Sequence, residues 1–324
     1  MNQRRLRSSP HIRELASTVT LNHKKFIQPL FVDESLSIRR PISGMNEIYS
    51  ETVESVLRTI ESDVKNGVTK FLLFPVPGEK FANDFHFDFA VSVIHEIKSH
   101  FGDAVWLASD LCLCSYTSHG HCGILNYDQT QLLNDATVRL LTEYGLKLAG
   151  AGIDCIAPSD MTDGRIKAIR LQLDRLDYDY ISIMSYSAKF SSQYYGPFRD
   201  ACHSTPNTQN LKNRKTYQIS PLNLNDAIDS SIRDAHEGAD ILMVKPSSLY
   251  TDVIAAIKNN TSKPVAAYHV SGEYASIENM VTAGLLHREP AHLETWSALV
   301  RSGADIIISY ASRHAKDWIN RMEV

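Results

Sequence analysis

Four segments of the chain repeat one local arrangement, in which a glycine stops a helix and an apolar strand follows at once: Asn66-Gly-Val-Thr-Lys-Phe-Leu-Leu-Phe, Ala151-Gly-Ile-Asp-Cys-Ile-Ala, Glu237-Gly-Ala-Asp-Ile-Leu-Met-Val and Ser302-Gly-Ala-Asp-Ile-Ile-Ile. Glycine enters the left-handed conformation that ends a helix without steric cost. The same helix-to-strand alternation extends along the chain. Short apolar runs occur at Phe26–Val32, Phe71–Val76, Val105–Ala108, Cys155–Ala157, Tyr180–Met184, Ile241–Val244, Val265–Val270 and Ile306–Tyr310. Amphipathic stretches lie between them, at Thr52–Lys65, Phe87–His100, Gln129–Leu148, Asp163–Leu173, Asn225–His236, Tyr250–Asn259 and His292–Arg301. Eight strands separated by helices predict a parallel sheet closed as a (β/α)₈ TIM barrel. The rival, an open doubly wound sheet, calls for a G-x-G-x-x-G loop after an early strand, and none stands there. Asp110, Cys112, Ser159, Asp160, Lys189, Lys245, Ser271 and Tyr310 all fall at or just past the C-terminal ends of different strands. That end is where barrel enzymes assemble their sites.

A length of 324 residues, 43% of them hydrophobic, suits one barrel or two smaller domains. The net charge of -4 argues against a nucleic-acid surface or a polybasic membrane contact, and no apolar run approaches the ~20 residues of a membrane span. Residues 1–24 carry Arg4, Arg5, Arg7 and Arg13 without the apolar centre of a secretory signal. Their Arg and Ser content is weakly like a transit peptide, but they read equally as an extended N-terminal arm. Residues 25–324 then form a single catalytic barrel. Within it, residues 199–217 are polar, aperiodic and cationic, as expected of a lid over an anionic substrate.

Three of five cysteines, Cys112, Cys114 and Cys122, fall in Asp110-Leu-Cys-Leu-Cys-Ser-Tyr-Thr-Ser-His-Gly-His-Cys-Gly123. This clustering does not suit a disulfide framework and points to a reducing, cytoplasmic setting. If the strand continues through them, Cys112 and Cys114 face one side, roughly 6 to 7 Å apart, which favours sharing a zinc ion over a disulfide. Either His119 or His121 closes a structural site, or three thiolates leave a position open to substrate. Lys245, at the end of a buried run, is expected to lose hydration of its ammonium form and become nucleophilic. The ordinary alternative is a packed stem with its tip in water. Lys189, on the same face, would lower the pKa of its neighbour and makes Schiff-base chemistry on one or two carbonyl substrates plausible. Arg199 and Arg214 could each grip a carboxylate.

These motifs, together with Ala157-Pro-Ser-Asp-Met-Thr-Asp-Gly-Arg165, Ser187-Ala-Lys-Phe, Tyr195-Gly-Pro-Phe-Arg-Asp200, Arg214-Lys-Thr-Tyr-Gln218, Met243-Val-Lys-Pro and Tyr268-His-Val-Ser-Gly-Glu-Tyr274, resemble the porphobilinogen synthase (5-aminolevulinate dehydratase) family in one order along most of the chain. The resemblance implies a lyase of tetrapyrrole (heme) biosynthesis, which condenses two 5-aminolevulinate molecules to porphobilinogen with loss of two waters. It implies Lys245 as the Schiff-base lysine for the first substrate and Lys189 as the holder of the second. It implies carboxylate contacts from Ser271 and Tyr310 to the first substrate, and from Arg199, Arg214 and Gln218 to the second. It also implies Zn2+ on Cys112, Cys114 and Cys122, leaving His119 and His121 as loop or supporting residues, and a homo-octamer built through the N-terminal arm. Asp110 and Ser159 are further candidates for holding amino groups or water. Ser230 stands where many relatives carry an acidic ligand, which makes an allosteric Mg2+ doubtful; residues 43–49 and 79–88 also diverge. The competing readings are another Schiff-base barrel lyase or aldolase with a structural zinc, and a non-catalytic binder of tetrapyrrole precursors.

Overall fold

In the computed structural model, which describes residues 3–82 and 84–322, the parallel strands close on themselves. The barrel strands are, in order, Phe26–Asp33, Lys70–Val76, Trp106–Leu111, Cys155–Pro158, Ser182–Lys189, Ile241–Lys245, Val265–His269 and Ile306–Ser309. Each pairs with the next, and the eighth returns to the first through Phe26 opposite Ile307 and Ile27 opposite Ile308. The four repeated glycines, Gly67, Gly152, Gly238 and Gly303, have φ of 91, 90, 107 and 111°. They are the left-handed helix stops that the sequence pattern called for. A short antiparallel pair, Arg40–Pro41 with Tyr49–Glu51, extends the sheet beside the end of the first strand.

The outer helices are Val53–Lys65, Asp88–Phe101, Asn134–Gly150, Arg165–Arg175, Leu224–His236, Thr251–Asn260, Arg288–Arg301 and Ala315–Arg321. The first shows why these segments are helical. Thr52 and Ser55 form a reciprocal capping box, Val56 and Ile60 face the core, and the helix stops at Asn66-Gly67. The third begins at Asn134 rather than Gln129, because Leu125 bridges Leu132 and Asn126 Oδ1 accepts from the Thr130 and Gln131 amides in a tight turn. Gly196–Ala201, Ser271–Thr282 and Ala315–Arg321 are helices that the sequence pattern does not mark. The first of these makes the opening residues of the expected lid helical; residues 202–218 follow without regular structure. The arm carries the helix Pro10–Ala16, capped by Ser9, with none of its residues buried and Leu15 81% exposed.

Two strand ends differ from the expected ones. The third strand runs on to Leu111 and then stops, so Cys112 and Cys114 lie in a turn rather than on an extended chain. The fifth extends to Lys189 through a bulge, where Ser185 pairs with Leu242 but Ala188 with Val244. One extra residue breaks the alternation of faces. Ser185 and Ser187 turn outward to Asp234 and Ser231 as alternation requires, and the extra residue lets Tyr186 and Lys189 share the interior.

A buried ion cluster backs this wall. Arg165 reaches Asp234 Oδ2 at 3.1 Å and Asp160 Oδ1 at 3.4 Å, and all three side chains are fully buried. Removing one partner of such a cluster strands the other charges. Arg165→Met is therefore expected to lower stability by about 3–5 kcal/mol, measured as a lower denaturation midpoint in urea.

Candidate active site

The pairing of the fifth and sixth strands sets Lys189 directly opposite Lys245. Lys245 is 3% exposed. Its Nζ lies 4.3 Å from the ring centre of Tyr268, 4.6 Å from Phe198, 4.9 Å from Tyr186, 5.6 Å from Tyr195 and 5.8 Å from Phe74. The ring faces attract a cation, but exclusion of water outweighs them. Burial, reinforced by Lys189, pulls the Lys245 pKa down to about 7. Lys189 Nζ donates to the Ser159 carbonyl and lies 5.5 Å from the same Tyr186 ring. Tyr186 thus sits between the two amines, and its buried hydroxyl has no hydrogen-bond partner among the described residues.

Asp110 is buried next to the end of the third strand, with Oδ1 unpartnered among the described residues. Burial and then Cys114 push its pKa up to about 6, partly offset by Lys189, Lys245 and the Ser159 hydroxyl. It therefore couples electrostatically to both lysines and to the thiols.

The sulfurs of Cys112, Cys114 and Cys122 lie within 4.8 Å of one another, and all three cysteines are buried. A tetrahedral zinc with Zn–S near 2.3 Å needs sulfurs roughly 3.8 Å apart, so the donor set fits such an ion after small adjustments. Hydrogen bonds from Cys112 and Cys122 hold the Cys114 pKa well below that of an ordinary thiol, with Arg214 and Lys189 adding to the effect. Neither histidine belongs to this group. His121 Nε2 donates to the Leu211 carbonyl at 2.8 Å, which leaves Nδ1 to accept from the Tyr217 hydroxyl at 2.9 Å. That hydroxyl in turn accepts from the Cys122 amide at 3.4 Å. His121 therefore fixes the loop through Tyr217, a residue of the Arg214–Gln218 motif to which the sequence assigns no role. His119 Nδ1 accepts from the His121 amide at 3.1 Å.

The remaining candidates divide into two groups. Tyr310 joins Tyr268 hydroxyl to hydroxyl at 3.0 Å, and Ser271 Oγ accepts from the Phe198 amide at 3.1 Å. Both contacts lead to rings that enclose Lys245. Arg199 follows Phe198 and donates to the Ser192 carbonyl at 3.3 Å, while Arg214 donates to the Gly120 and Ser204 carbonyls at 2.9 and 2.6 Å. Burial disfavours the Arg214 charge, but Cys122 and Cys114 outweigh it and hold its pKa above the ordinary value. Gln218 is buried with both amide atoms unpartnered, and the next residue, Ile219, donates its amide to the Lys189 carbonyl at 3.1 Å. The rings around Lys245 were missed in the sequence because they come from four separate segments, with Phe74, Tyr186 and Tyr268 on three different strands and Tyr195 and Phe198 together at the helix Gly196–Ala201.

A family profile described as "Delta-aminolevulinic acid dehydratase" matches residues 1–318. The chain is 42% identical over 325 residues to delta-aminolevulinic acid dehydratase of Helicobacter pylori (strain J99), covering 99% of this chain and 98% of that one. It is 38% identical over 320 residues to the Bacillus subtilis (strain 168) protein of that name, covering 98% and 97%. Its fold matches the crystal structure of delta-aminolevulinic acid dehydratase (porphobilinogen synthase) from Toxoplasma gondii ME49, in complex with the reaction product porphobilinogen, with a TM-score of 0.93 at 34% identity over 99% of this chain and 92% of that one.

The position of Lys245 has a direct consequence. An amine reacts in its neutral form, so lowering its pKa moves reactivity to lower pH. Reductive alkylation of Lys245 by a small aldehyde, followed by peptide mapping, is expected to rise with pH and level off around a midpoint of about 7. An exposed lysine keeps gaining reactivity to about pH 10, and a midpoint there would contradict the assignment.

Proposed function

The chain belongs to the delta-aminolevulinic acid dehydratase family, whose members are lyases, and from that premise we propose that it condenses two 5-aminolevulinate molecules to porphobilinogen through amine chemistry at Lys245 and Lys189. The observation that carries this reading is the pairing of two buried lysines on adjacent strands, one with its pKa lowered to about 7. At neutral pH a large share of Lys245 is free amine. It attacks the ketone of the first substrate, water leaves, and the protonated imine draws electrons from the adjoining carbon. Ser271 and Tyr310 hold that substrate's carboxylate. Lys189 holds the second substrate, and Arg199, Arg214 and Gln218 bind its carboxylate, supported by the unpartnered Nε atoms of both arginines and the free amide of Gln218. Asp110 and Ser159 hold an amino group or released water.

Cys112, Cys114 and Cys122 are the residues to hold Zn2+, which soft thiolate donors favour over magnesium. Bound there, the ion would orient the second substrate and polarise its carbonyl or keep its amine unprotonated, and because three thiolates leave the unit formally at about -1, positioning outweighs strong Lewis acidity. The engagement of both His121 nitrogens supports an open three-thiolate site over a closed structural one. Ser230 Oγ accepts from Arg233 at 3.0 Å, and a neutral hydroxyl so engaged is a poor Mg2+ ligand. We read residues 1–24, of which 1 and 2 lie outside the described residues, as an arm that packs on a neighbouring subunit in a homo-octamer, supported by the exposure of Leu6 and Leu15, and residues 199–217 as a lid. No helix among the described residues is long and apolar enough to cross a membrane. A cytoplasmic step of heme biosynthesis fits this reading.

Two experiments test it. Borohydride reduction with 5-aminolevulinate, followed by peptide mass mapping, should place an adduct on Lys245. Lys245→Arg should abolish that adduct and lower kcat by at least on the order of 10³, and an adduct that persists in the variant would refute the role. Exhaustive chelation should abolish turnover, with zinc restoring it. Cys122→Ala should lose most bound metal and most turnover together, and full activity of the chelated variant would exclude a zinc role.

A further inference from the structure

The proposed chemistry requires Lys245 and Ser271 to meet one substrate molecule, yet Lys245 ends the sixth strand and Ser271 opens the helix after the seventh, so two different loops adjoin them. A single carboxylate joins those loops. Glu273, 5% exposed, lies in the first turn of the helix Ser271–Thr282. A glutamate there commonly reaches back to the amide ahead of its own helix, and Glu273 Oε2 accepts from the Val270 amide at 2.8 Å. It also does what a simple cap does not. Oε1 accepts from the Ser248 amide at 2.7 Å and the Ser247 amide at 3.2 Å, just beyond Lys245-Pro246.

The far side of each loop is fixed separately. The Lys245 carbonyl accepts from the Phe190 amide at 2.9 Å and the Tyr195 hydroxyl at 3.0 Å. The Gly272 amide donates to the Tyr194 carbonyl at 2.8 Å, and a Cβ at Gly272 would meet that oxygen at 2.6 Å, so this contact needs glycine. Lys245, the Ser247-Ser248 turn, Glu273, Ser271 and the segment from Tyr194 to Phe198 thus form a closed ring of polar contacts. Among the described residues, Glu273 is the one side chain in this ring that hydrogen-bonds to both loops.

We propose that Glu273 is a positioning residue that sets the span between the Lys245 amine and the Ser271 hydroxyl, so that the ketone and the carboxylate of one substrate are engaged together. This rests on the reading of Lys245 as the Schiff-base lysine. Glutamine offers one acceptor oxygen and turns an NH2 toward an amide donor. Aspartate is one methylene too short to reach both loops.

The test compares two probes in borohydride trapping at Lys245: 5-aminolevulinate, and aminoacetone, which has the ketone and amine but no carboxylate arm. In the unaltered enzyme the carboxylate should speed trapping. In Glu273→Gln, and in Glu273→Asp should the first variant fail to fold, that advantage should shrink by about tenfold or more, as expected when two contacts on one substrate are misaligned. Asp305→Asn serves as the control. Asp305 accepts from the Val265 amide at 2.9 Å at the opposite end of the seventh strand, and its loss should leave the ratio of the two probes unchanged. An unchanged ratio in the Glu273 variants, or an equal fall in Asp305→Asn, overturns the proposal. Absence of any Lys245 adduct in the unaltered enzyme instead overturns the reading of Lys245, and the proposal with it.

Discussion

The cost of burying an ammonium group governs this molecule. A lysine stem packs readily among apolar groups, but its charged head resists leaving water. The barrel interior denies Lys245 that water. Phe31 stacks with Phe74 at 5.3 Å and with Tyr310 at 6.0 Å, and Phe74 meets Phe198 edge-on at 5.0 Å. This aromatic layer continues into the rings around Nζ, so the outcome is a displaced protonation equilibrium rather than a salt bridge. A second lysine on the neighbouring strand moves it in the same direction. The closed parallel sheet is what brings the two amines together, since strand pairing sets Lys189 beside Lys245 although 55 intervening residues separate them in the chain.

The rest of the site has the opposite character. Around Cys112, Cys114 and Cys122 the neighbours are Arg214, Tyr217 and the carbonyl-rich loops that Arg214 binds. Here the charge of the Cys114 thiolate is stabilised while burial favours the neutral thiol of Cys112, and guanidinium charge is held. If two copies of one substrate occupy these halves, their chemical difference comes from the protein: one lies against aromatic rings and a neutral amine, the other among fixed charges. Asp110, which feels both lysines and Cys114, lies where the two environments meet.

The barrel, its glycine helix stops and the three cysteines were legible because each depends on local pattern or on residue types clustered in sequence, and the two lysines because each lies at or just past the C-terminal end of a strand-like run. The helix Ser271–Thr282 was not legible. Its buried side includes Glu273 and Glu278, which a periodicity reading assigns to solvent. Glu273 is buried because three amides point at it, and Glu278 because Arg288, His292 and Asn46 donate to it at 2.8, 3.0 and 3.1 Å. Partners distant in sequence reversed the meaning of those carboxylates. The expected approach of Cys112 and Cys114 along a strand failed for a related reason: after Leu111 the chain turns, so proximity of the sulfurs arises from loop geometry.

The bulge in the fifth strand shows how such distant partners serve the site. Without an extra residue between Ser185 and Ala188, strict alternation would put Tyr186 and Lys189 on opposite faces. A bulge disrupts the ladder locally and leaves backbone groups in need of other partners. Arg165 Nη2 donates to the Tyr186 carbonyl at 3.4 Å and to Ser185 Oγ at 3.3 Å, both within the bulge. Asp160 and Asp234 hold the guanidinium there. A well-packed apolar cluster could match this ion group in stability, but it could not hydrogen-bond the irregular strand. The buried charges behind the wall are thus explained by what stands in front of it, a lysine that faces the interior only because the strand is irregular.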